Sequence, residues 1–281
     1  AKPPGRGDQK PGRRPMRQLE ELIESIAARV NVNVRGAGMD VGPLLRRAVP
    51  EDSFSMYYAF YALTSHHPLY FRFEDSSLAG TYFLGKCDVA HSVLYKSDIR
   101  GDELKERGTE VDFEGIRIRL VDDEIIRIRN SFLVKTLVHS SKDPESPEVF
   151  KILNTVALHY ANIHGTNTEG CFLGPFSTVD LSMFHNCVVG DFSYVQAGDL
   201  SHETIGPGRV WIRVRGKFEF DYSFPEGVVE KYVSLDPEFR LQGEFVRFLS
   251  ERKEDFVAIY SSVQPEPAAG VPQGSFVSPY A

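Results

Sequence analysis

The chain has 281 residues, of which 42% are hydrophobic and 25% are charged, and its formal net charge is −7. This composition permits a sizeable buried core, and the acidic balance argues against a nucleic-acid partner. No run approaches the ~20 apolar residues that span a membrane, and three widely spaced cysteines (Cys87, Cys171, Cys187) indicate reduced thiols in a cytoplasmic protein.

The N-terminal region predicts a tail followed by a helix. Residues 1–17 contain six Lys or Arg and one Asp and are rich in Pro and Gly, so residues 1–16 are predicted to be a disordered basic tail. The alternative is a docking arm for an acidic protein partner. Residues 17–77 are predicted to form a helix and an aromatic-rich capping segment, because apolar residues recur on one helical face: Leu19, Leu22, Ile23, Ile26 and Val30.

The pattern of residues 78–216 predicts a mainly β fold. We expect a β-helix built of hexapeptide repeats. Small residues and turn-permissive Gly, Asp and Asn suit its tight corners. Ordinary strands are the alternative, since any even spacing fits a two-residue period. Shifts in phase predict protruding loops at 103–124 and 140–151. Apolar residues at intervals of six carry the prediction: Cys87, Val93 and Ile99, then Ile126, Phe132 and Val138, then the pairs Ala157 and Ile163, Leu173 and Val179, and Val189 and Val195.

Residues 217–281 are predicted to contain a C-terminal helix and a tail. The helix is placed in residues 243–263, where apolar residues recur at helical spacing. A terminal helix would cover the open end of a solenoid.

Three histidines occupy informative places in this β-helix. Val138 and Ile163 are interior positions, and His139 and His164 follow them directly with the same phase. We therefore expect these two side chains to stack one coil apart, with a coil of about 18 residues. His159 should lie near a neighbouring edge, because five extended residues span about 16 Å. It could then share a metal only with another copy of the chain, and three imidazoles with one open position are typical of a catalytic zinc site.

Three motifs give the sequence a resemblance to a known family. They are "IRGDE" at 99–103, "LVH" at 137–139 and "LHYANIHG" at 158–165. The chain resembles the γ-class carbonic anhydrases over residues 78–263. The resemblance implies a homotrimer of left-handed parallel β-helices with Zn²⁺, or alternatively Fe²⁺ or Co²⁺, at each subunit interface.

The resemblance also implies roles for individual residues. His139 and His164 of one chain and His159 of its neighbour would bind the metal, and a metal-bound hydroxide would hydrate CO2 to bicarbonate. Arg100 and Asp102 would serve the subunit interface. The catalytic residue would be Glu103, near the metal-bound water, as a group that transfers protons.

The sequence also departs from the family pattern. Leu133 and Val134 stand where the family has a water-orienting Gln and an Asp, and Lys142 replaces a Glu that transfers protons. The metal site is therefore better supported than the carbonic anhydrase activity. Two alternatives remain: a non-catalytic, metal-binding scaffold or complex subunit, and a hexapeptide-repeat acyltransferase with a histidine base at a subunit interface and a groove for the acyl donor.

Overall fold

The computed structural model describes residues 13–49, 58–62, 71–140, 147–229, 231, 234–235 and 241–242. Most of the predicted basic tail, Lys142 and the predicted C-terminal helix at 243–263 lie outside these residues. The chain forms two compact units, Ala1–Glu226 and Gly227–Ala281.

In the described part of the N-terminal region, two α-helices and a short 3₁₀ helix precede the strands. Helix α1 (Arg13–Val34) runs into the 3₁₀ helix (Arg35–Ala37), and α2 (Gly42–Ala48) follows. The predicted N-terminal helix is confirmed. Within the part of the chain that the structure describes, no helix is both long enough and apolar enough to cross a membrane.

The strands are short, as hexapeptide repeats require. In chain order they are β1 (Phe60–Ala62), β2 (Phe71–Glu74), β3 (Tyr82–Gly85), β4 (Cys87–Ala90), β5 (Val93–Tyr95), β6 (Asp98–Gly101), β7 (Glu110–Phe113), β8 (Ile116–Arg119), β9 (Ile126–Arg129), β10 (Phe132–Val134), β11 (Leu137–His139), β12 (Phe150–Leu153), β13 (Val156–Ala157), β14 (Asn162–His164), β15 (Asn167–Glu169), β16 (Phe172–Leu173), β17 (Thr178–Asp180), β18 (Met183–His185), β19 (Val188–Val189), β20 (Tyr194–Gln196), β21 (Asp199–Ser201), β22 (Thr204–Ile205), β23 (Arg209–Val214), β24 (Phe218–Ser223), β25 (Ser234–Leu235) and β26 (Leu241–Gln242).

Three sheets of mainly parallel strands form a solenoid, to which each complete coil gives one strand per sheet. Sheet 1 has the order β1-β3-β6-β11-β14-β17-β20-β23-β24, sheet 2 has β22-β19-β16-β13-β10-β5, and sheet 3 has β2-β4-β9-β12-β15-β18-β21. Strand β24 pairs antiparallel with β23. The β7–β8 and β25–β26 pairs are separate antiparallel hairpins, and β7–β8 confirms the predicted protrusion at 103–124.

The coil is shorter than the sequence suggests. Val156 pairs with Phe172, and Phe172 pairs with Val188, so a regular coil takes 16 residues, not 18. Tight corners make this possible, because several corner residues adopt the left-handed conformation, among them Asn130, Asn154 and Asn186. Asparagine tolerates this conformation better than most residues do.

Two apolar clusters are buried among the residues that the structure describes. The interior cluster lies between the three sheets and takes one or two side chains from each strand that contributes to it, including Ile99, Val138 and Ile163. The second cluster lies between the N-terminal helices and the outer face of sheet 2, where Ile26 and Val30 pack against side chains such as Phe132. Each fully buried large aliphatic side chain contributes about 1.5–3 kcal/mol, so the helices belong to the stable core of the first unit.

Candidate active site

A column of polar side chains follows the outer face of sheet 1. The strand register places Arg100 beside His139, His139 beside His164, and His164 beside Asp180. In each strand the preceding residue points into the core, as Ile163 does before His164. Because side chains alternate across a strand, the interior residue fixes the outward direction of the polar one.

His139 and His164 stack as expected. Their ring centroids are 4.2 Å apart and their planes differ by 17°. His139 Nε2 lies 3.1 Å from Asn162 Oδ1. Burial lowers the pKa of His139, and the nearby His164 lowers it further. Both effects favour the neutral form of His139.

His164 belongs to a hydrogen-bonded chain that ends in a tyrosine. His164 Nδ1 donates to Asp180 Oδ1 at 2.6 Å, and the Tyr194 hydroxyl donates to the other Asp180 oxygen. Burial, together with this bond to Asp180, raises the pKa of Tyr194 to about 12, so the hydroxyl keeps its proton.

This chain of contacts gives His164 the geometry of a general base. A carboxylate on Nδ1 selects the tautomer whose lone pair lies on Nε2. The His164 side chain is 29% exposed, so solvent-borne molecules can reach it. Sequence reasoning missed Asp180 and Tyr194, although a 16-residue period would have placed Asp180 directly beside His164.

The structure does not bring His159 to this column. His159 follows β13 of sheet 2, is 2% exposed, and hydrogen-bonds to the backbone of Ala48 at the end of α2. The N-terminal helices pack on this sheet, and the position expected for His159 at a subunit interface stays a prediction. Metal ligation by His139, His159 and His164 stays a prediction.

The buried position of His159 predicts a loss of stability in acid. Burial, followed by the charge of Lys135, lowers the pKa of His159 from 6.5 to about 4. The unfolded chain therefore takes up a proton first, and stability falls as pH drops from about 6.5 to about 4, by about 3 kcal/mol in all. Urea unfolding of His159→Asn should show a shallower decline over this range. The exposed His185→Asn should keep the wild-type decline, and equal declines in all three proteins would contradict the assignment.

The residues assigned to an interface and to proton transfer lie at one end of the column. Arg100 Nε is 3.7 Å from Asp102 Oδ1. Ser140, directly after His139, donates to Glu103 Oε2 at 3.2 Å. These contacts bring Arg100, Asp102 and Glu103 next to His139 but do not test their roles.

A cavity of about 740 Å³ lies at the opposite end of the column. Gln196 lies beside Asp180 on the next strand of sheet 1 and pairs with Ile212 of β23. The residues that follow Gln196 and Ile212 in the sequence line the cavity. Arg213 donates to the carbonyl oxygen of Ala197 at 2.7 Å. The lining residues are Ala197, Gly198, Asp199, Arg213, Val214, Arg215, Gly216, Lys217, Phe218 and Glu219, which give three cations and two acids.

Comparisons with known proteins identify the repeat and one extensive similarity. Residues 116–237 match the family model "Hexapeptide repeat including loop". The chain is 52% identical to a protein from Desulfovibrio desulfuricans that has a crystal structure and is provisionally named an acetyltransferase. That match covers 86% of this chain and 53% of the other, with a TM-score of 0.75. The chain thus spans about half the length of that protein.

Two further solved structures are more distant. A Bacillus cereus protein with the same provisional name is 14% identical over 75% of this chain and 95% of its own, with a TM-score of 0.31. A hexapeptide transferase family protein from Anaplasma phagocytophilum is 12% identical over 75% of this chain and 99% of its own, with a TM-score of 0.22. The comparison with curated proteins gave no match.

These findings correct the functional prediction. The assignment to the γ-class carbonic anhydrases is wrong in its activity, because the extensive similarity is to a protein provisionally named an acetyltransferase. The hexapeptide repeat is confirmed for residues 116–237. The physical reason for the error is that the stacking of His139 and His164 follows from the register of the repeat. Stacking alone does not determine which reaction a protein catalyses.

Proposed function

We propose that this chain carries the catalytic part of an acyltransferase that moves an acetyl group from a thioester donor to a nucleophilic acceptor. The observation that carries the proposal is the hydrogen-bonded series His164–Asp180–Tyr194. The Asp180 carboxylate binds Nδ1 of His164, which leaves Nε2 available as a base. The 52% identity to the protein provisionally named an acetyltransferase supports this reaction class over others.

The chemistry assigns one proton transfer to His164. The acceptor nitrogen or oxygen attacks the thioester carbonyl carbon while His164 Nε2 takes the acceptor's proton. As the tetrahedral intermediate collapses, the carbon–sulfur bond breaks and the imidazolium returns the proton to the leaving thiolate. Asp180 orients the ring and stabilises the imidazolium without itself being protonated.

The cavity at the β23 end of the column suits the donor. Acetyl-coenzyme A is a thioester with several phosphates, and Arg215 and Lys217 present cations that can pair with them. The cavity is lined by Arg213 and Val214 of β23, and β23 pairs with β20 of the column, so a donor bound there could extend along sheet 1 toward His164.

Three further features belong to the same proposal. The solenoid is taken to be left-handed, as the predicted β-helix is. The chain is taken to assemble as a homotrimer, with the outer face of sheet 1 near a subunit boundary. A cytoplasmic location accords with three cysteines that are all free and buried.

The proposal is tested by chromatographic detection of acetylated product from acetyl-coenzyme A and a panel of amines and alcohols. Replacing both Arg215 and Lys217 with Gln should raise the KM for acetyl-coenzyme A about tenfold for each phosphate contact that is lost. A tenfold change corresponds to about 1.4 kcal/mol of binding free energy. The change in kcat should be smaller. Arg117→Gln on the exposed hairpin is the matched control and should keep the wild-type KM. No product with any acceptor would refute the proposal.

A further inference from the structure

The outer face of β24 is a row of exposed aromatic side chains that the proposed reaction does not use. Residues at every second position of a strand share one face. This row, called here the aromatic strip, consists of Phe218, Phe220 and Tyr222, which are 55%, 45% and 47% exposed. The strip is continuous with the outer face of sheet 1, because Phe220 pairs with Ile212 and Ile212 pairs with Gln196. Contiguous exposed apolar side chains mark places where other molecules bind.

The acidic residues of β24 lie on the opposite face and are already paired. Trp211 belongs to the interior cluster and pairs with Asp221, so Asp221 and Glu219 are turned away from the aromatic strip. Glu219 accepts a hydrogen bond from Trp211 Nε1 at 3.0 Å, and Asp221 accepts two from Arg209, at 2.8 and 2.7 Å. The strip therefore carries no carboxylate of β24 that would repel an anionic ligand.

Two rings of the strip are spaced to hold one flat ring between them. The centroids of Phe220 and Tyr222 are 6.5 Å apart, and their planes differ by 27°. Aromatic carbons attract each other most strongly at about 3.5–4.0 Å, so one intervening ring needs about 7 Å between its two neighbours. A small rotation of either exposed side chain supplies the difference. The spacing of this pair therefore fits a planar aromatic ligand.

Cations stand at the end of the strip that adjoins the proposed donor cavity. Phe218 lines that cavity together with Arg215 and Lys217 of the β23–β24 turn. The midpoint between Phe220 and Tyr222 is four residues from Lys217, about 14 Å along an extended strand. A nucleotide holds its phosphates and its base on opposite sides of the sugar, and the flexible stem of lysine covers part of this distance. The surface thus offers a nucleotide two cations for phosphate and two rings for the base.

We propose that the nucleotide part of the donor binds here, with its adenine ring inserted between Phe220 and Tyr222 and its phosphates at the cations of the β23–β24 turn. This inference rests on the proposed acyl transfer and adds how the donor's base is recognised. The pantetheine arm then runs from the turn along the outer face of sheet 1 toward His164. Strands β23 and β14 are three strand spacings apart in sheet 1, about 14 Å, which an extended pantetheine arm spans.

The kinetic test compares two donors that differ only in the nucleotide. Acetyl-coenzyme A carries it and S-acetylpantetheine lacks it. Phe220→Ser should raise the KM for acetyl-coenzyme A about tenfold, as the loss of a base–aromatic stack does, and should leave the KM for S-acetylpantetheine unchanged. Phe220→Tyr keeps a flat ring and should restore the affinity. Phe113→Ser removes an exposed ring from the β7–β8 hairpin and is the matched control, with the wild-type KM for both donors.

A binding test separates this inference from the proposed function. Adenosine 3′,5′-bisphosphate should bind the wild type about tenfold more tightly than Phe220→Ser in isothermal titration calorimetry, whereas inorganic pyrophosphate should bind both proteins equally. If no acceptor is acetylated, the proposed function fails and this titration alone decides the inference. Equal nucleotide affinities, no nucleotide binding to the wild type, or an equal loss of pyrophosphate affinity in the variant would overturn it. A changed oligomeric state of Phe220→Ser in size-exclusion chromatography would also overturn it, because the strip would then be a contact between copies of the chain.

Discussion

Replacing His164 with Ala is expected to lower kcat for acetyl transfer about 100- to 10,000-fold, the usual contribution of a positioned general base. The reason is that His164 alone in the column combines a carboxylate on Nδ1 with exposure to solvent. KM for acetyl-coenzyme A should change little, because the proposed donor cavity lies at β23. Steady-state kinetics with saturating acceptor measures both quantities.

The chain offers a matched control for this variant. His185 Nδ1 lies 3.5 Å from Glu169 Oε2, an exposed histidine–carboxylate pair on sheet 3. His185→Ala removes an equivalent pair and should leave kcat at the wild-type value. Asp180→Asn should give an intermediate loss, since the ring keeps its place but loses the partner that stabilises the imidazolium. If His164→Ala kept more than half of the wild-type kcat, the assignment of the base would be refuted.

The sequence placed His139 and His164 correctly because a local rule decides their position. Each follows an apolar residue of the solenoid interior, Val138 or Ile163, and alternation along the strand then turns the next side chain outward. That rule needs only the phase of the repeat. It holds even though the coil is 16 residues long and the sequence suggested 18.

The same reasoning failed on β5 and β10 of sheet 2, where both faces are buried, although it placed Ala157, Leu173 and Val189 of the later strands correctly in the interior. The series at intervals of six predicts Val93 and Phe132 in the interior, yet they pack under the N-terminal helices, while Leu94 and Leu133 fill the interior. A run that is apolar throughout carries no alternation from which a phase can be read. The burial of His159 could not be predicted for a related reason, since the contact with Ala48 is made by a helix more than a hundred residues earlier in the chain.

The reaction was the least predictable feature. Two stacked imidazoles fit a metal site and a base equally well, because a carboxylate on Nδ1 serves both chemistries. Asp180 and Tyr194 would have been found only with the correct coil length. With a coil length of 16 residues, His164, Asp180 and Gln196 fall at equal intervals on one face. The polar column can then be predicted from the sequence.

Gly85→Ala is expected to destabilise the first unit by about 3 kcal/mol or more, the sum of a left-handed backbone penalty and overpacking. Gly85 ends β3 with φ of 79° and pairs with Gly101 of β6. A Cβ there would approach backbone atoms of Gly101 and Asp102 to less than 3.0 Å. Backbone atoms cannot rotate away as a side chain can, so β6 itself would have to move.

A second glycine separates the two contributions. Gly115 in the β7–β8 turn has φ of 83°, but a Cβ there would meet nothing within 4 Å. Gly115→Ala should therefore cost only the backbone penalty, about 1–2 kcal/mol, and urea unfolding compares the two variants. Equal losses would show that the contact between β3 and β6 is not tight.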